Sequence, residues 1–436
     1  MITSYYTKLI TLLFYKTTNY YPSNIFKIIV DHTFGKSFKF PENITNNRLI
    51  VIRYFFKTLT YNIDESINFN DFENLIFDAQ KSSKNLRIDY LRHYTKIKDF
   101  DFISYNELLF FKSNFNKISY FFYSLPFVLL LTIISQFYQN RSSFALLIEY
   151  PIVLNNLFSI LNKNSNISSI YYFSIVERES NIFAYFFQEK KVKVIKIASD
   201  TPIVFWNKNI LSNDLLICNK YQFEEINFFK SSIHIENIKF FGPELSLNYN
   251  HLYNINTKTV NNTIGFYSTA SWVRESEGHI DQGIDFLKYE RKVLECIKKF
   301  LSMNSDVKLF IFLHPKEKTQ KYFKLSLNYY KDILDNTISY ELVNSTKSSS
   351  QLFHTVDLGV AFNSTILHER LYCGFKTLFY PNNPYFPIKN SHLSNICANN
   401  ENDFENLIKK AMCSSTSDFF KDNNLVSYSN RPLKNF

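Results

Sequence analysis

The sequence predicts an α/β protein made of two lobes, each a parallel sheet with crossover helices. Short apolar runs alternate with helical segments from Ala145 to Lys230, and the same alternation restarts at Asn262 and continues to Pro381. A chain of 436 residues is also long enough for two domains with separate cores. We therefore expect two Rossmann-like lobes that face one cleft.

The segment between the two alternating regions is predicted to be a linker. It contains Gly242-Pro243 and several asparagines, and its apolar residues show no periodicity. The expected domains are accordingly an amino-terminal lobe over 1–241, a linker over 242–262 and a carboxyl-terminal lobe over 263–436.

The amino-terminal lobe becomes regular only after Asn140. Its apolar pattern predicts strands over 49–55, 145–151, 168–175, 191–198 and 214–219. Helices are expected over 72–81, 87–98, 154–161, 181–188 and 221–230. The residues before about Asn116 carry no recognisable chemistry.

The carboxyl-terminal lobe has the clearer pattern. Strands are predicted over 262–268, 307–313, 338–343, 358–362 and 376–381, and helices over 285–303, 317–330, 348–356 and 366–373. Gly374 stands directly after the last of these helices, in the position that commonly ends a helix.

The segment from Ile118 to Asn140 contains no charged residue and includes the run FVLLLTIIS, which raises the question of a membrane span. Pro126 lies within it, and several Tyr, Ser, Thr and Gln residues make it only moderately apolar. A buried helix, or one that lies against a membrane face, fits this composition better than a spanning helix.

The net charge of +10 favours anionic partners. The basic residues are scattered, and neither zinc-finger spacing nor a basic heptad region occurs, so we expect no nucleic acid partner. Abundant aromatics, 30 Tyr and 46 Phe, accompany the charge and favour an anionic membrane surface. The five cysteines form no CxxC pair, as in a cytosolic protein with reduced thiols.

His314-Pro315 follows the predicted strand 307–313 directly, and proline stops that strand from continuing. Ligands collect beyond the carboxyl ends of the strands in an open α/β sheet. The imidazole is therefore predicted to lie where it could donate to a phosphate or protonate a leaving oxygen. A surface histidine at a strand end is the alternative.

Ser364 and Thr365 stand between a predicted strand and the helix that begins near Ile366. Hydroxyls and free backbone N–H groups at such a helix start can bind an anion with help from the helix dipole. Glu369, one turn later, could accept hydrogen bonds from ribose hydroxyls. The alternatives are a plain helix cap and an exposed helical glutamate.

The polar stretch from Gly265 to Gly283 also follows a predicted strand. Ser268 and Thr269 could line the cleft, and Arg274 could pair with a phosphate or a sugar carboxylate through its planar fork. His279 is a further candidate contact. A solvated loop would explain the acidic residues of this stretch equally well.

Several other chemistries lack their sequence signatures. The histidines are dispersed, without HExxH or another paired spacing, so no metal site is predicted. GxSxG, P-loop and GxGxxG motifs do not occur, which disfavours hydrolase, kinase and dehydrogenase functions.

The carboxyl-terminal pattern resembles one lobe of the GT-B glycosyltransferases. The residues that carry the resemblance are His314-Pro315 after one strand, Ser364-Thr365 with Glu369 after another, and Gly374 to Pro381 with its Lys, strand and Tyr-Pro. The pattern is most similar to bacterial sialyltransferases and polysialyltransferases that build capsule and O-antigen polysaccharides. It covers about Thr263 to Pro381, and the amino-terminal lobe only in outline.

This resemblance implies roles for individual residues. His314 matches the histidine, and Ser364 and Thr365 match the hydroxyls, that hold the phosphate of a CMP-activated sugar. The family also places an acidic general base in the amino-terminal lobe. The acidic-acidic-glycine motif expected there is absent. The nearest candidates follow predicted strands and are Glu149, Glu177, Glu179 and Asp200. Asp200, after a strand rich in Val and Ile, is preferred. A cap of a turn or helix is the alternative role for Asp200.

The resemblance therefore implies a metal-independent glycosyltransferase that uses a nucleotide sugar, with CMP-sugar favoured, at the cytoplasmic face of a bacterial inner membrane. The sugar would be a sialic or another nonulosonic acid, and the acceptor a cell-surface polysaccharide or lipid-linked oligosaccharide. UDP-sugar and CDP-glycerol transferases share related patterns. A polyol-phosphate transferase of the teichoic-acid type and a non-catalytic GT-B-like scaffold remain as alternatives.

Overall fold

The computed structural model of the chain contains two compact units, each built around one parallel sheet. The described residues are 5–6, 9, 51–52, 55–56, 73–78, 84–95, 97–105, 107, 117–135, 141–163, 166–173, 179–198, 210–228, 233–241, 262–277, 286–335, 338–362, 364–380, 388 and 391–425.

The first unit holds a six-stranded sheet in the order β2-β1-β3-β4-β5-β6, with every neighbouring pair parallel. Its strands are β1 (Asn74–Asp78), β2 (Asp101–Ser104), β3 (Ser169–Tyr172), β4 (Lys193–Ala198), β5 (Ile210–Ile217) and β6 (Ile233–Phe240). Its helices are α1 (Lys84–Thr95), α2 (Lys117–Ser135), α3 (Arg141–Lys163) and α4 (Glu179–Glu189), and α5 (Lys220–Phe228) follows β5.

The interior strands of this sheet are almost continuously buried and most of their residues are apolar, as expected when helices cover both faces of a parallel sheet. Leu75 and Phe77 of β1 share one core with Tyr120 of α2, Leu157 of α3 and Phe183 of α4. The aromatic content that is conspicuous in the sequence thus serves packing in this unit.

The second unit holds a five-stranded sheet in the order β11-β10-β7-β8-β9, also parallel throughout. The strands are β7 (Thr263–Tyr267), β8 (Lys308–Phe312), β9 (Tyr340–Val343), β10 (Leu358–Ala361) and β11 (Thr377–Phe379). The helices are α6 (Ser271–Ser276), α7 (Phe286–Met303), α8 (Gln320–Leu334), α9 (Thr365–Tyr372), α10 (Glu401–Cys413) and α11 (Thr416–Asp422), with 3₁₀ turns at Ser349–Thr355 and Ser394–Ile396.

These two sheets confirm the predicted fold class, an α/β protein with two Rossmann-like lobes. The division into units differs in detail from the predicted domain boundaries, because Asn219–Glu225 group with the second unit. The proposed linker falls on residues of which only Asn262 is described, so the boundaries at 241 and 263 stay predictions.

The predicted strand 145–151 is wrong, because these residues lie inside α3. Leu147, Tyr150, Leu154 and Leu157 are buried at helical spacing along this one helix. A seven-residue apolar window is too short to reveal that period, so it cannot distinguish a buried strand from a buried helix. The candidate base Glu149 therefore lies in a helix and not at the end of a strand.

Two further assignments near the amino terminus are also wrong. The expected helix 72–81 contains strand β1, whose buried run Leu75–Phe77 sits between polar residues. In the expected strand 49–55, the described residues Val51, Ile52 and Phe55 are helical, and Val51 and Phe55 are buried one turn apart.

Strands β2 and β6 are present without having been predicted. Strand β6 is the sheet's edge, and its residues are half-buried or exposed, so it lacks the apolar run by which its interior neighbours are recognised. Within the described residues, no helix is both long and apolar enough to cross a membrane.

Candidate functional site

The candidate site lies at the carboxyl edge of the second sheet, around its topological switch point. The chain runs from β7 outward through β8 and β9, then returns to the other side of β7 to form β10 and β11. In such sheets the ligand binds where the strand order reverses, here between β7 and β10. The residues that follow β7, β8 and β10 therefore meet at one edge.

The loop after β7 is tightly ordered by its own hydrogen bonds. The backbone N–H of Ser268 donates to the Phe312 carbonyl of β8 at 3.1 Å, and the Ser268 hydroxyl accepts from the N–H of Ala270 at 3.0 Å. Ala270 adopts a left-handed conformation with φ 55° and leads into α6. A non-glycine residue in that conformation carries local strain, which the surrounding hydrogen bonds hold in place.

Glu290 of α7 fixes this loop by accepting hydrogen bonds from it. Its Oε2 accepts from the Thr269 N–H at 2.9 Å, from the Ser271 hydroxyl at 3.1 Å and from the Thr269 hydroxyl. The side chain is fully buried, and its Oε1 has no hydrogen-bond partner in the described structure. Burial, and secondarily the charge of Glu317, raise the pKa of Glu290 to about 7.

Glu317 fixes the loop after β8, also by accepting hydrogen bonds. Its Oε2 accepts from the N–H of His314 at 2.9 Å, and its Oε1 accepts from the indole N–H of Trp272 at 2.7 Å and the Tyr330 hydroxyl at 3.0 Å. One buried carboxylate thus joins the end of β8 to α6 and α8. The charge-assisted bonds fix the backbone at His314.

His314 is a neutral hydrogen-bond donor in this arrangement. Burial, followed by the positive charges of Arg274, Lys316 and Lys318, lowers the pKa of His314 to about 4. Its Nδ1 accepts from the backbone N–H of Lys316 at 3.2 Å. We assign the ring proton to Nε2 on this basis, since a neutral imidazole has one donor and one acceptor nitrogen.

Three cationic side chains, those of Arg274, Lys316 and Lys318, act on His314. Lys316 pairs with Glu277 at 2.8 Å, and Lys318 donates to the Ser345 carbonyl at 2.9 Å. Desolvation lowers the pKa of Lys318. Arg274 lies half-buried on α6. A cluster of positive charges at a strand edge is suited to an anionic ligand.

The start of α9 supplies the third group of donors. Ser364 occupies the N-cap position, but its side chain makes no capping hydrogen bond, and no described residue bonds to its hydroxyl. The plain cap considered as an alternative is therefore not formed through this side chain. Thr365 begins the helix, and Glu369 lies one turn later, half-buried. The helix dipole at this end favours an anion.

Arg370, in the last turn of α9, supports the site by hydrogen bonds to the ends of the sheet's segments. It is fully buried, and its guanidinium donates to the backbone carbonyls of Phe353, Val356, Asp357 and Lys376 and to the Tyr267 hydroxyl at 2.7–3.1 Å. A Cβ atom at Gly359 would collide with the Arg370 side chain. The glycine of β10 thus makes room for the residue that ties α9 to the sheet.

The structure places eight of the ten predicted site residues on three neighbouring segments: Ser268, Thr269 and Arg274 after β7; His314 and Pro315 after β8; Ser364, Thr365 and Glu369 after β10. The Thr269 hydroxyl and N–H are engaged by Glu290, whereas Pro315 is exposed. Asp200 and His279 lie outside the described residues.

Glu290 and Glu317, the buried carboxylates that hold the loops after β7 and β8, were not predicted from the sequence as functional residues. A signal for Glu290 was available, because it stands in the apolar stripe of α7, four residues after Phe286 and three before Val293. A charged residue in a buried stripe needs partners, which marks it as a candidate. Glu317 was taken as the first residue of a helix, although it lies in the turn that precedes α8.

Comparisons with known proteins find similarity at the level of solved structures. No protein-family model matches the chain, and no curated protein matches it. An O-GlcNAc transferase of Thermobaculum terrenum is 9% identical with a TM-score of 0.41, covering 93% of this chain and 73% of its own.

Two further structures have similar scores. A UDP-glucose:anthocyanidin 3-O-glucosyltransferase in complex with UDP is 8% identical with a TM-score of 0.46, covering 82% of this chain and 93% of its own. The UDP-GlcNAc 2-epimerase of Neisseria meningitidis bound to UDP-GlcNAc is 9% identical with a TM-score of 0.45, covering 82% and 100%. Because these scores are below 0.5, the fold assignment rests on the two parallel sheets themselves.

Proposed function

We propose that the chain is a glycosyltransferase whose second unit binds the nucleotide part of a nucleotide-sugar donor. The observation that carries the proposal is the neutral His314, placed among three cationic side chains at the carboxyl edge of the sheet and next to the switch point between β7 and β10. A diphosphate or monophosphate ester needs both features, hydrogen-bond donors and positive charge, at one place.

The chemistry assigned to this edge is stabilisation of the departing phosphate. His314 Nε2–H and the Ser364 hydroxyl donate to phosphate oxygens, while Arg274 and Lys318 offset their charge. Donors that are fixed in advance stabilise the charge that develops in the transition state without reorganising. The buried carboxylates Glu290 and Glu317 hold the two loops in place for this purpose.

Phosphate binding would also change the protonation of His314. In the free protein its pKa is held low by burial and by neighbouring cations. An anionic phosphate opposes those cations and moves the pKa of His314 back toward its ordinary value. The imidazole could then share its proton with the leaving oxygen, which was the role expected for it.

We favour a CMP-activated sialic or other nonulosonic acid, a glycan or lipid-linked glycan as acceptor, and Asp200 as the base that removes the acceptor hydroxyl proton. The enzyme would work at the surface of the inner membrane.

A thermal-shift panel of CMP, UDP, GDP and CDP tests nucleotide binding, because a ligand that binds only the folded state raises the melting temperature. We expect stabilisation by CMP above the other nucleotides. His314→Ala combined with Ser364→Ala should remove this stabilisation and the transfer activity while leaving the fold intact. The matched control is His234→Ala with Ser302→Ala, which changes the same residue types on β6 and α7.

Two results would contradict the proposal. Unchanged binding and transfer in the His314/Ser364 variant would refute the site. A product that contains a phosphodiester instead of a glycosidic bond would replace sugar transfer with polyol-phosphate transfer, with the same nucleotide site retained.

A further inference from the structure

Helix α2 carries a continuous apolar face that is exposed. Its outward side chains have relative exposures of 38–67% at the large apolar positions: Phe122, Tyr123, Leu129, Leu130 and Ile133. Pro126 lies at the centre of the same face and is also exposed. Successive members, with Pro126 included, are one or three residues apart, which places them along one side of a helix.

The opposite face of α2 is anchored in the protein. Tyr120, Ser124, Val128 and Leu131 are at most 1% exposed, and three of them belong to the core of the first unit. A helix that is fixed on one side and apolar on the other presents a stable surface. Exposed apolar side chains cost free energy in water, and a contiguous group of them is typical of an interaction site.

No comparable face occurs elsewhere in the described residues. The remaining exposed large apolar side chains are dispersed over several elements, including Phe228, Phe240, Met303, Leu325 and Leu327. The α2 face extends over the eleven-residue rise from Phe122 to Ile133, about 16 Å along the helix axis.

We propose that this face of α2 docks on the surface of an anionic lipid bilayer, with the helix axis parallel to the membrane plane. The proposal rests on α2 alone and does not depend on sugar transfer.

The net positive charge of the protein indicates that the partner of the α2 face is an anionic lipid surface. The protein carries a net charge of +10, and no charged residue occurs between Lys117, the first residue of α2, and Arg141, the first residue of α3. An uncharged apolar face on a protein of net positive charge fits the acyl boundary and the anionic headgroups together. Tyr123 is of a residue type that is enriched at membrane–water interfaces.

Cosedimentation of the full chain with vesicles tests this surface. The probes are vesicles of phosphatidylcholine alone and of phosphatidylcholine with phosphatidylglycerol. Wild-type protein should bind the phosphatidylglycerol vesicles more tightly, and added salt should weaken that binding. Phe122→Asp with Ile133→Asp should lower the partition coefficient at least about tenfold, because two large apolar side chains no longer enter the membrane.

The matched control is Met303→Asp with Leu325→Asp. It changes two comparably exposed apolar residues of the second unit and adds the same charge, so wild-type-like binding is expected. Circular dichroism and the melting temperature establish that both variants are folded.

Three outcomes would overturn the proposal. In the first, the wild-type protein binds neither kind of vesicle. In the second, the α2 variant and the control lose binding equally. In the third, light scattering shows a wild-type dimer that the α2 substitutions dissociate. The last result would assign the face to a second copy of the chain.

Discussion

Burial changes the charge of Glu290 and of His314 in the same direction, toward the neutral form. Desolvation raises the pKa of Glu290 to about 7 and lowers that of His314 to about 4. The neighbouring charges reinforce both shifts, since Glu317 opposes ionisation of Glu290 and Arg274 opposes protonation of His314. The site therefore combines a donor imidazole with a carboxyl group that titrates near neutrality.

Glu290→Gln tests the titration of this buried carboxyl group. Because the folded pKa lies above the ordinary value of 4.5, the stability that the protonated group provides is present below pH 4.5 and lost as the pH rises to about 7. Over this pH range the ionisation of Glu290 should cost the wild type on the order of 3 kcal/mol in the free energy of unfolding. The variant should show no such loss.

Urea unfolding at pH 5 and pH 8 measures this difference. Wild type should lose more stability than Glu290→Gln between the two values, whereas Glu295→Gln, an exposed change on the same helix, should behave as wild type. Equal losses in wild type and Glu290→Gln would contradict the assignment.

The pKa of His314 provides a second test at the residue level. Its folded value lies below the ordinary 6.5, so its contribution to stability is present above pH 6.5 and lost as the pH falls to about 4. Arg274→Gln removes one of the three cations and should raise the pKa of His314 by roughly half a unit.

An NMR titration of the imidazole Cε1–H measures that pKa directly. Lys331→Gln, which removes a surface cation from the end of α8, is the control and should leave the titration unchanged. A His314 pKa near its ordinary value in the wild type would show that the imidazole is not buried among cations.

At the level of elements, the buried Arg370 joins helix α9 to strand β10. None of its hydrogen bonds goes to a carboxylate. All five bonds of Arg370 go to four backbone carbonyls and one tyrosine hydroxyl. Moving such a residue leaves several buried acceptors unpaired, so the last turn of α9, where Arg370 lies, is held firmly.

Gly359→Ala tests this connection. The new methyl group would collide with Arg370, and we expect a loss of about 3 kcal/mol in the free energy of unfolding, measured in urea. In an Arg370→Leu background the same change should cost clearly less, because the collision partner has been altered. Equal costs in both backgrounds would show that Arg370 is not the residue that requires glycine.

On the scale of the whole molecule, each unit has its own parallel sheet, and the candidate donor site uses segments of the second unit only. A nucleotide should therefore protect local segments of that unit. Binding at a hundredfold excess over the dissociation constant stabilises the folded state by about 2.7 kcal/mol.

Hydrogen exchange followed by mass spectrometry tests where that protection occurs. With saturating CMP, exchange should slow at residues 268–274, 314–318 and 364–369. Exchange at the β1 core, residues 75–77, should not respond directly. Protection confined to the first unit would place the nucleotide elsewhere.

The sequence alone determined the second unit well. Its strands β7, β8, β10 and β11 are apolar runs followed by polar or turn-forming residues, so their ends and the residues His314, Ser364 and Thr365 could be located from period and position. Parallel strands place their carboxyl ends at one edge, and this geometry made the candidate site predictable before the strand order was known.

Only the tertiary structure decided the remainder. A short apolar run such as 145–151 is compatible with strand and helix, and the choice depends on the partners that bury it, here along the 23 residues of α3. The roles of Glu290 and Glu317 likewise depend on which loops fold over them. Burial and neighbouring charges set a group's protonation, and those are properties of the assembled fold and not of the residue type.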